Sequence, residues 1–162
     1  MFYTLVSPAD FFWLLATERQ GGQDPHAPAE WLRSESLTDS ILLLLVEDEA
    51  LIRLNLQEEL DEAGFALVVA GNGGQAMAEL EADAARFRGV LTDIRLGSGP
   101  NGWEVARRAR ELVPGVPMVY MSGDSAHEWD AQGVPNSVMV AKPFVTAQVI
   151  TALSNLLNEV GS

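Results

Sequence analysis

The sequence lacks cysteine, which excludes disulfide bonds and any metal site built from thiolates. Positive charge is also scarce. A single lysine, Lys142, and nine arginines face 23 acidic residues, and the formal net charge is −13. A protein with this charge repels nucleic acid and anionic membranes. The composition therefore argues against a nucleic acid or a membrane as the partner.

Long apolar runs are missing as well. The longest, among them Phe11–Ala16 and Ile41–Val46, contain six residues each, which is too short to cross a bilayer. The N-terminus also lacks the basic region with which a signal peptide begins, because the first basic residue is Arg19. We therefore expect a soluble, cytoplasmic protein.

Composition divides the chain into an N-terminal extension, residues 1–39, and a domain, residues 40–162. The extension contains half of the aromatic residues in about a quarter of the chain, and it is predicted to form short helices or to be poorly ordered. Two interpretations of these aromatic residues stay open. They contact a partner or a second copy of the chain, giving a homodimer, or they pack on the chain's own domain.

From residue 41 onward, short apolar runs alternate with amphipathic segments. The predicted strands are Ile41–Val46, Phe65–Ala70, Gly89–Asp93, Val116–Met121 and Ser137–Ala141. The predicted helices are Glu49–Ala63, Gln75–Ala82, Gly102–Val113, a short segment ending at Gly133, and Thr146–Val160. Leu112 and Val160 are expected to face inward, and Ser125 is expected to cap the short helix. Five such units predict an α/β fold with a parallel sheet and helices on both faces.

Chemically distinctive side chains follow four of the predicted strands. In parallel α/β sheets, ligands bind at the carboxyl ends of the strands. The first strand ends in Glu47 and Asp48, the third in Asp93, the fourth in Ser122 and the fifth in Lys142. We therefore expect three carboxylates, a hydroxyl and the only lysine of the chain to lie at one edge of the sheet.

These residue types suit phosphoryl transfer. Mg²⁺ prefers oxygen ligands, which Glu47, Asp48 and Asp93 supply, and the ion lets three carboxylates stay ionised together. An ionised Asp can accept a phosphoryl group, and Asp93 is the best-placed nucleophile because its strand is central. Lys142 supplies a cation and Ser122 a hydroxyl donor for the phosphoryl oxygens. Taken alone, the acidic triplet Glu47-Asp48-Glu49 would also fit a solvated turn at the start of a helix.

Four motifs resemble the receiver domain of two-component response regulators. They are Val46-Glu47-Asp48-Glu49, Leu91–Leu96, Met121-Ser122-Gly123 and Ala141–Phe144. The resemblance covers residues from about 40 to 158, roughly three quarters of the chain. It implies a flavodoxin-like, doubly wound sheet of five parallel strands in the order 2-1-3-4-5.

The same resemblance implies a function and a role for each candidate residue. Asp93 would be phosphorylated by a phosphohistidine on a histidine kinase or a histidine phosphotransfer protein. Mg²⁺ would be held by carboxylates and by one backbone carbonyl, and two side chains would contact the phosphoryl group. The residues in these roles are Glu47, Asp48, Asp93 and the carbonyl of Arg95 for the metal, and Ser122 and Lys142 for the phosphoryl group.

Two features depart from the family pattern. The position three residues before Lys142, which often carries Tyr or Phe, is Met139. A flexible thioether gives a weaker two-state signal than an aromatic ring. The loop after Asp93, residues 96–102, has no Pro directly after its hydrophobic residue and is one residue longer, which predicts a more mobile loop.

The sequence thus predicts a phosphoacceptor that signals by a conformational change or acts as a relay or phosphate sink, rather than an enzyme. No output domain is expected after the last helix. One alternative is a Mg²⁺-dependent phosphatase, which usually needs a second Asp two residues after the nucleophile, where this chain has Arg95. The other alternative is a protein-interaction module that uses residues 1–39 for its contacts.

Overall fold

Five strands and five helices alternate along residues 40–160, the part of the chain that the computed structural model describes. The predictions made for residues 1–39 lie outside that part. The strands are β1 (Leu42–Val46), β2 (Ala66–Ala70), β3 (Gly89–Asp93), β4 (Met118–Ser122) and β5 (Ser137–Ala141). The helices are α1 (Ala50–Glu62), α2 (Gly73–Asp83), α3 (Gly102–Leu112), α4 (Trp129–Gln132) and α5 (Thr146–Val160), with 3₁₀ turns at Ala84–Arg86 and Ala126–Glu128.

The strands form one parallel sheet in the order β2-β1-β3-β4-β5, which confirms the predicted flavodoxin-like arrangement. β1 and β3 are direct neighbours inside the sheet, with Val46 paired to Thr92. Because all strands run in the same direction, their carboxyl ends lie along one edge. The residues that end or follow β1 and β3 are therefore close in space although more than 40 positions separate them in sequence.

A hydrophobic core lies on each face of the sheet. Alternate residues of β1 point in opposite directions, so that Leu44 and Val46 pack with α2 and α3, whereas Leu43 and Leu45 pack with α1 and α5. All four side chains are fully buried, which explains why β1 is an unbroken apolar run. Among the described residues, no helix is long and apolar enough to span a membrane.

Several predicted strand limits and helix faces were wrong, and β1 and β2 each begin one residue later than predicted. β4 begins at Met118 rather than at Val116, because Pro117 has no N–H group to donate to a neighbouring strand. Leu112 and Val160 were expected to face inward, but they are 37% and 60% exposed. Each is the last residue of its helix and lies beyond the positions that cover the sheet.

Side-chain caps also differ from the predicted ones. α2 starts two residues earlier than predicted, because the Asn72 side chain accepts a hydrogen bond from the Gln75 N–H and caps the helix there. The predicted cap by Ser125 does not form, since its side chain makes no capping hydrogen bond. A complete capping box instead joins Asn101 and Glu104 at the start of α3.

Candidate functional site

The ends of β1 and β3 bring three carboxylates together. Glu47, Asp48 and Asp93 each place one oxygen within 4.8 Å of the others. Two further candidate side chains border the same edge, because Ser122 is the last residue of β4 and Lys142 follows β5. The parallel topology thus assembles one cluster from residues that four separate strands carry.

Glu47 is a fully buried acid at the end of β1. Its Oε1 accepts a hydrogen bond from the Glu49 N–H at 3.1 Å, and its Oε2 accepts one from Lys142 Nζ at 3.0 Å. Burial raises the pKa of Glu47 above its usual value, and these hydrogen bonds oppose the shift without cancelling it. The loss of hydration therefore destabilises the charged form of Glu47, and a further cation beside the carboxylate would offset that cost.

Asp93 ends β3 and is almost completely buried, with 7% of its surface exposed. Its Oδ1 accepts a hydrogen bond from the Arg95 N–H at 3.1 Å, and its Oδ2 accepts one from Lys142 Nζ at 2.6 Å. The start of α3 packs directly behind it, since a Cβ at Gly102 would lie 2.1 Å from the Asp93 carbonyl oxygen. Both carboxylate oxygens are thus held in place, and only glycine fits behind the backbone that carries them.

Lys142 is the cation that joins these two acids. Its ammonium group contacts Asp93 and Glu47 at once, and its side chain is only 19% exposed. Burial by itself lowers the pKa of Lys142, but the hydrogen bonds to Asp93 and Glu47 outweigh it, and the pKa is raised. The ammonium form is therefore the one that this site stabilises.

Asp48 differs from the other two acids because it is exposed. Within residues 40–160, its carboxylate accepts no hydrogen bond and forms no ion pair. Its backbone carbonyl accepts a hydrogen bond from Arg53 Nη1, as does the carbonyl of Glu47. Arg53 is not among the predicted site residues, because its partners are backbone carbonyls, which no residue type marks in the sequence.

Ser122 and the loops that follow β3 and β4 complete the edge. The Ser122 side chain is buried, and its Oγ accepts a hydrogen bond from the Ser125 N–H at 2.9 Å, which leaves the hydroxyl hydrogen to be donated. Arg95 and Asp124 form an exposed ion pair of 3.3 Å between the two loops. The role of the Arg95 carbonyl as a metal ligand remains a prediction.

The donor set suits a hard divalent cation. All three carboxylates offer oxygen, which is the ligand type that Mg²⁺ prefers, and residues 40–160 add no sulfur or imidazole ligand to the cluster. One lysine balances only part of the charge of three acids. Part of the remaining negative charge lies at the exposed carboxylate of Asp48, which can bind a cation without breaking a contact to another described residue.

Proteins of one family resemble this chain in sequence. The family model described as the response regulator receiver domain matches residues 43–154. A response regulator receiver protein of Anaeromyxobacter sp. is 34% identical over 118 residues, which make up 72% of this chain and 45% of that protein. The response regulator receiver protein CpdR of Brucella abortus is 28% identical, over 71% of this chain and 95% of its own length.

Solved structures show the same likeness. The crystal structure of a response regulator receiver protein from Sinorhizobium medicae superposes with a TM-score of 0.72 and 45% sequence identity, and the match covers 75% of this chain and 97% of that one. Some relatives are much longer than the matched region. The chain spans 23% of the C4-dicarboxylate transport transcriptional regulatory protein DctD of Rhizobium meliloti.

Proposed function

Because this chain belongs to the response regulator receiver domain family, we propose that it is the phosphoacceptor of a two-component phosphorelay. Asp93 receives the phosphoryl group from a phosphohistidine on a histidine kinase or a histidine phosphotransfer protein. The observation that supports this most directly is the pair of hydrogen bonds from Lys142 to Asp93 and Glu47, at 2.6 and 3.0 Å. These two hydrogen bonds connect Lys142, the cation, with Asp93, the proposed nucleophile, and with Glu47, a proposed metal ligand.

The proposed chemistry is a single displacement at phosphorus. An Asp93 carboxylate oxygen forms a bond to phosphorus while the bond from phosphorus to the histidine nitrogen breaks, and the imidazole leaves with the electron pair. The hydrogen bonds from the Arg95 N–H and from Lys142 keep the carboxylate oriented for attack. Lys142 and the Ser122 hydroxyl then donate to the phosphoryl oxygens.

Mg²⁺ is the cofactor that this site is proposed to use. Glu47, Asp48 and Asp93 would hold it, together with the backbone carbonyl of Arg95. The bound ion supplies positive charge that offsets the negative charge of the transferred group. The three carboxylates lie close enough together to serve one ion.

A signalling role fits this family better than the phosphatase alternative. Arg95 occupies the position of the second acid that such a phosphatase would need, and its side chain pairs with Asp124.

We propose that the signal leaves through the segment after β4 and through α5, or that the protein acts as a relay or phosphate sink. Met139 lies on β5, partly buried against the core cluster that includes Tyr120. The role of residues 1–39 as a separate unit or in a homodimer remains a prediction.

Replacing Asp93 by Asn tests the proposed function. Incubation with a small phosphoryl donor and Mg²⁺ should add one phosphoryl group to the wild-type protein, as measured by intact mass, and a chelator should prevent the addition. Asp93→Asn should remain unmodified, because an amide oxygen is a poor nucleophile. Asp61→Asn, an exposed substitution on α1, should react like wild type. Equal modification of Asp93→Asn would refute the assignment.

A further inference from the structure

A half-buried arginine holds the backbone on both sides of Asp48. Arg53 lies in α1, and its Nη1 donates hydrogen bonds to the carbonyl oxygen of Glu47 at 2.8 Å and to that of Asp48 at 3.1 Å. These two carbonyls belong to the peptide units that directly precede and follow the Asp48 Cα atom. One guanidinium nitrogen therefore anchors both peptide planes next to this acid.

Asp48 depends on its backbone more than the other two acids do. The carboxylates of Glu47 and Asp93 are oriented by hydrogen bonds to their own oxygens. Within residues 40–160, the carboxylate of Asp48 has no such contact. The positions that it can reach are consequently limited to the rotamers about its Cα–Cβ bond, and the two flanking peptide planes fix the direction of that bond in space.

We propose that Arg53 is a positioning residue for the divalent-cation site and aims Asp48 toward Glu47 and Asp93. This inference rests on the proposed function, because it takes Mg²⁺ as the ion bound there. The loop after β2 lies beside the arginine, since a Cβ at Gly71 would be 3.6 Å from Arg53 Nη1. Gln75 in turn holds that loop by accepting a hydrogen bond from the Gly71 N–H at 2.8 Å.

The positive charge of Arg53 acts against cation binding, so the two effects of this side chain must be compared. A partly exposed charge changes a nearby equilibrium by at most about fivefold. Removing a group that orients a metal ligand typically lowers metal affinity by about 10–100-fold. The positioning effect is the larger one, and a neutral substitution should therefore weaken Mg²⁺ binding.

The test measures Mg²⁺ affinity by calorimetry for the wild type, Arg53→Gln and Arg53→Lys. Arg53→Gln should bind Mg²⁺ about 10–100-fold more weakly, and Arg53→Lys should be intermediate because it keeps the charge but reaches the carbonyls less well. Phosphorylation of Arg53→Gln should need more Mg²⁺ yet reach the wild-type rate at saturation. If Arg53→Gln does not fold, Arg53→Lys decides the question.

Arg110 offers a matched control. It also binds backbone carbonyls, those of Val116 and Pro135 at 2.7 and 2.8 Å, but these residues precede β4 and β5 at the opposite edge of the sheet. Arg110→Gln should therefore leave Mg²⁺ affinity unchanged.

Three outcomes would overturn the role of Arg53 and leave the proposed function standing. They are wild-type affinity in either Arg53 variant, tighter binding by Arg53→Gln, and equal weakening by Arg110→Gln. A wild-type protein that binds no Mg²⁺ would overturn the proposed function as well.

Discussion

Replacing Asp48 by Asn separates metal binding from folding. The substitution keeps the shape of the side chain and removes the charge of the one acid in the cluster that faces solvent without a contact to its carboxylate within residues 40–160. Exposed substitutions of this kind change the free energy of unfolding by less than about 0.5 kcal/mol. The metal-free variant should therefore unfold like the wild type, while its response to Mg²⁺ should fall.

The size of that response follows from mass action. At a Mg²⁺ concentration 100 times the dissociation constant, the wild-type protein gains about 2.7 kcal/mol of stability. If losing one of three carboxylate ligands weakens binding tenfold, the gain at the same concentration falls to about 1.4 kcal/mol, and a hundredfold loss leaves about 0.4 kcal/mol. With about 4 °C per kcal/mol for a domain of this size, the shift in melting temperature falls from about 11 °C to between about 2 and 6 °C.

Thermal unfolding followed by far-UV circular dichroism, with and without Mg²⁺, measures both quantities. Asp61→Asn is the control, because it removes an exposed acid of the same type from α1 outside the carboxylate cluster. It should keep the full Mg²⁺ shift. A full shift in Asp48→Asn would show that Asp48 is not a ligand. A metal-free Asp48→Asn that is destabilised by more than about 1 kcal/mol would show that its charge serves the fold instead.

Two further predictions concern acid and packing. Because burial raises the pKa of Glu47 above 4.5, protons should compete with Mg²⁺ as the pH falls toward that raised value. Titrations between about pH 7 and pH 5 should show weaker Mg²⁺ binding at the lower pH. Without metal, the stability of the protein depends on pH in the opposite direction. The uncharged form of Glu47 tolerates burial better, so its contribution to the free energy of unfolding is full below pH 4.5 and is lost as the pH rises through the raised pKa. Urea unfolding without metal measures this change. Gly102→Ala should cost about 1–3 kcal/mol in urea unfolding, because its Cβ would lie 2.1 Å from the Asp93 carbonyl oxygen. Gly123→Ala, which meets nothing within 4 Å, should cost less than about 0.5 kcal/mol, and equal costs would contradict the packing argument.

The sequence was most informative where its apolar pattern fits only one kind of secondary structure. β3, β5 and α5 have the predicted limits, because short apolar runs lie between turn residues and because the last helix has regular apolar spacing. Helical periodicity gives the direction of an apolar face but not the point at which the helix passes the edge of the sheet. Leu112 and Val160 have the right spacing and still lie exposed, since nothing in their own segments encodes the length of the strands beneath them.

The site was predictable as a set of residues and not as a set of contacts. Parallel topology brings Glu47, Asp93 and Lys142 to one edge whatever their side chains do. The simultaneous contact of Lys142 with both acids depends on the path of a long side chain across two strands, and spacing in the sequence does not determine such a path. The contacts of Arg53 were missed for the same reason, because its partners are backbone carbonyls, which have no residue signature.

The bridging position of Lys142 explains how two neighbouring acids can be buried together. Two nearly buried carboxylates next to each other would repel and lose hydration, and each cost is several kcal/mol when no cation is near. The ammonium group of Lys142 offsets this cost in the metal-free protein by contacting Glu47 and Asp93 together. When Asp93 is phosphorylated under the proposed function, its carboxylate becomes part of a neutral acyl group, and the phosphoryl oxygens become the negatively charged partner for Lys142. The same cation then has a negatively charged partner before and after transfer, so the proposed reaction does not leave the Lys142 ammonium group unpaired.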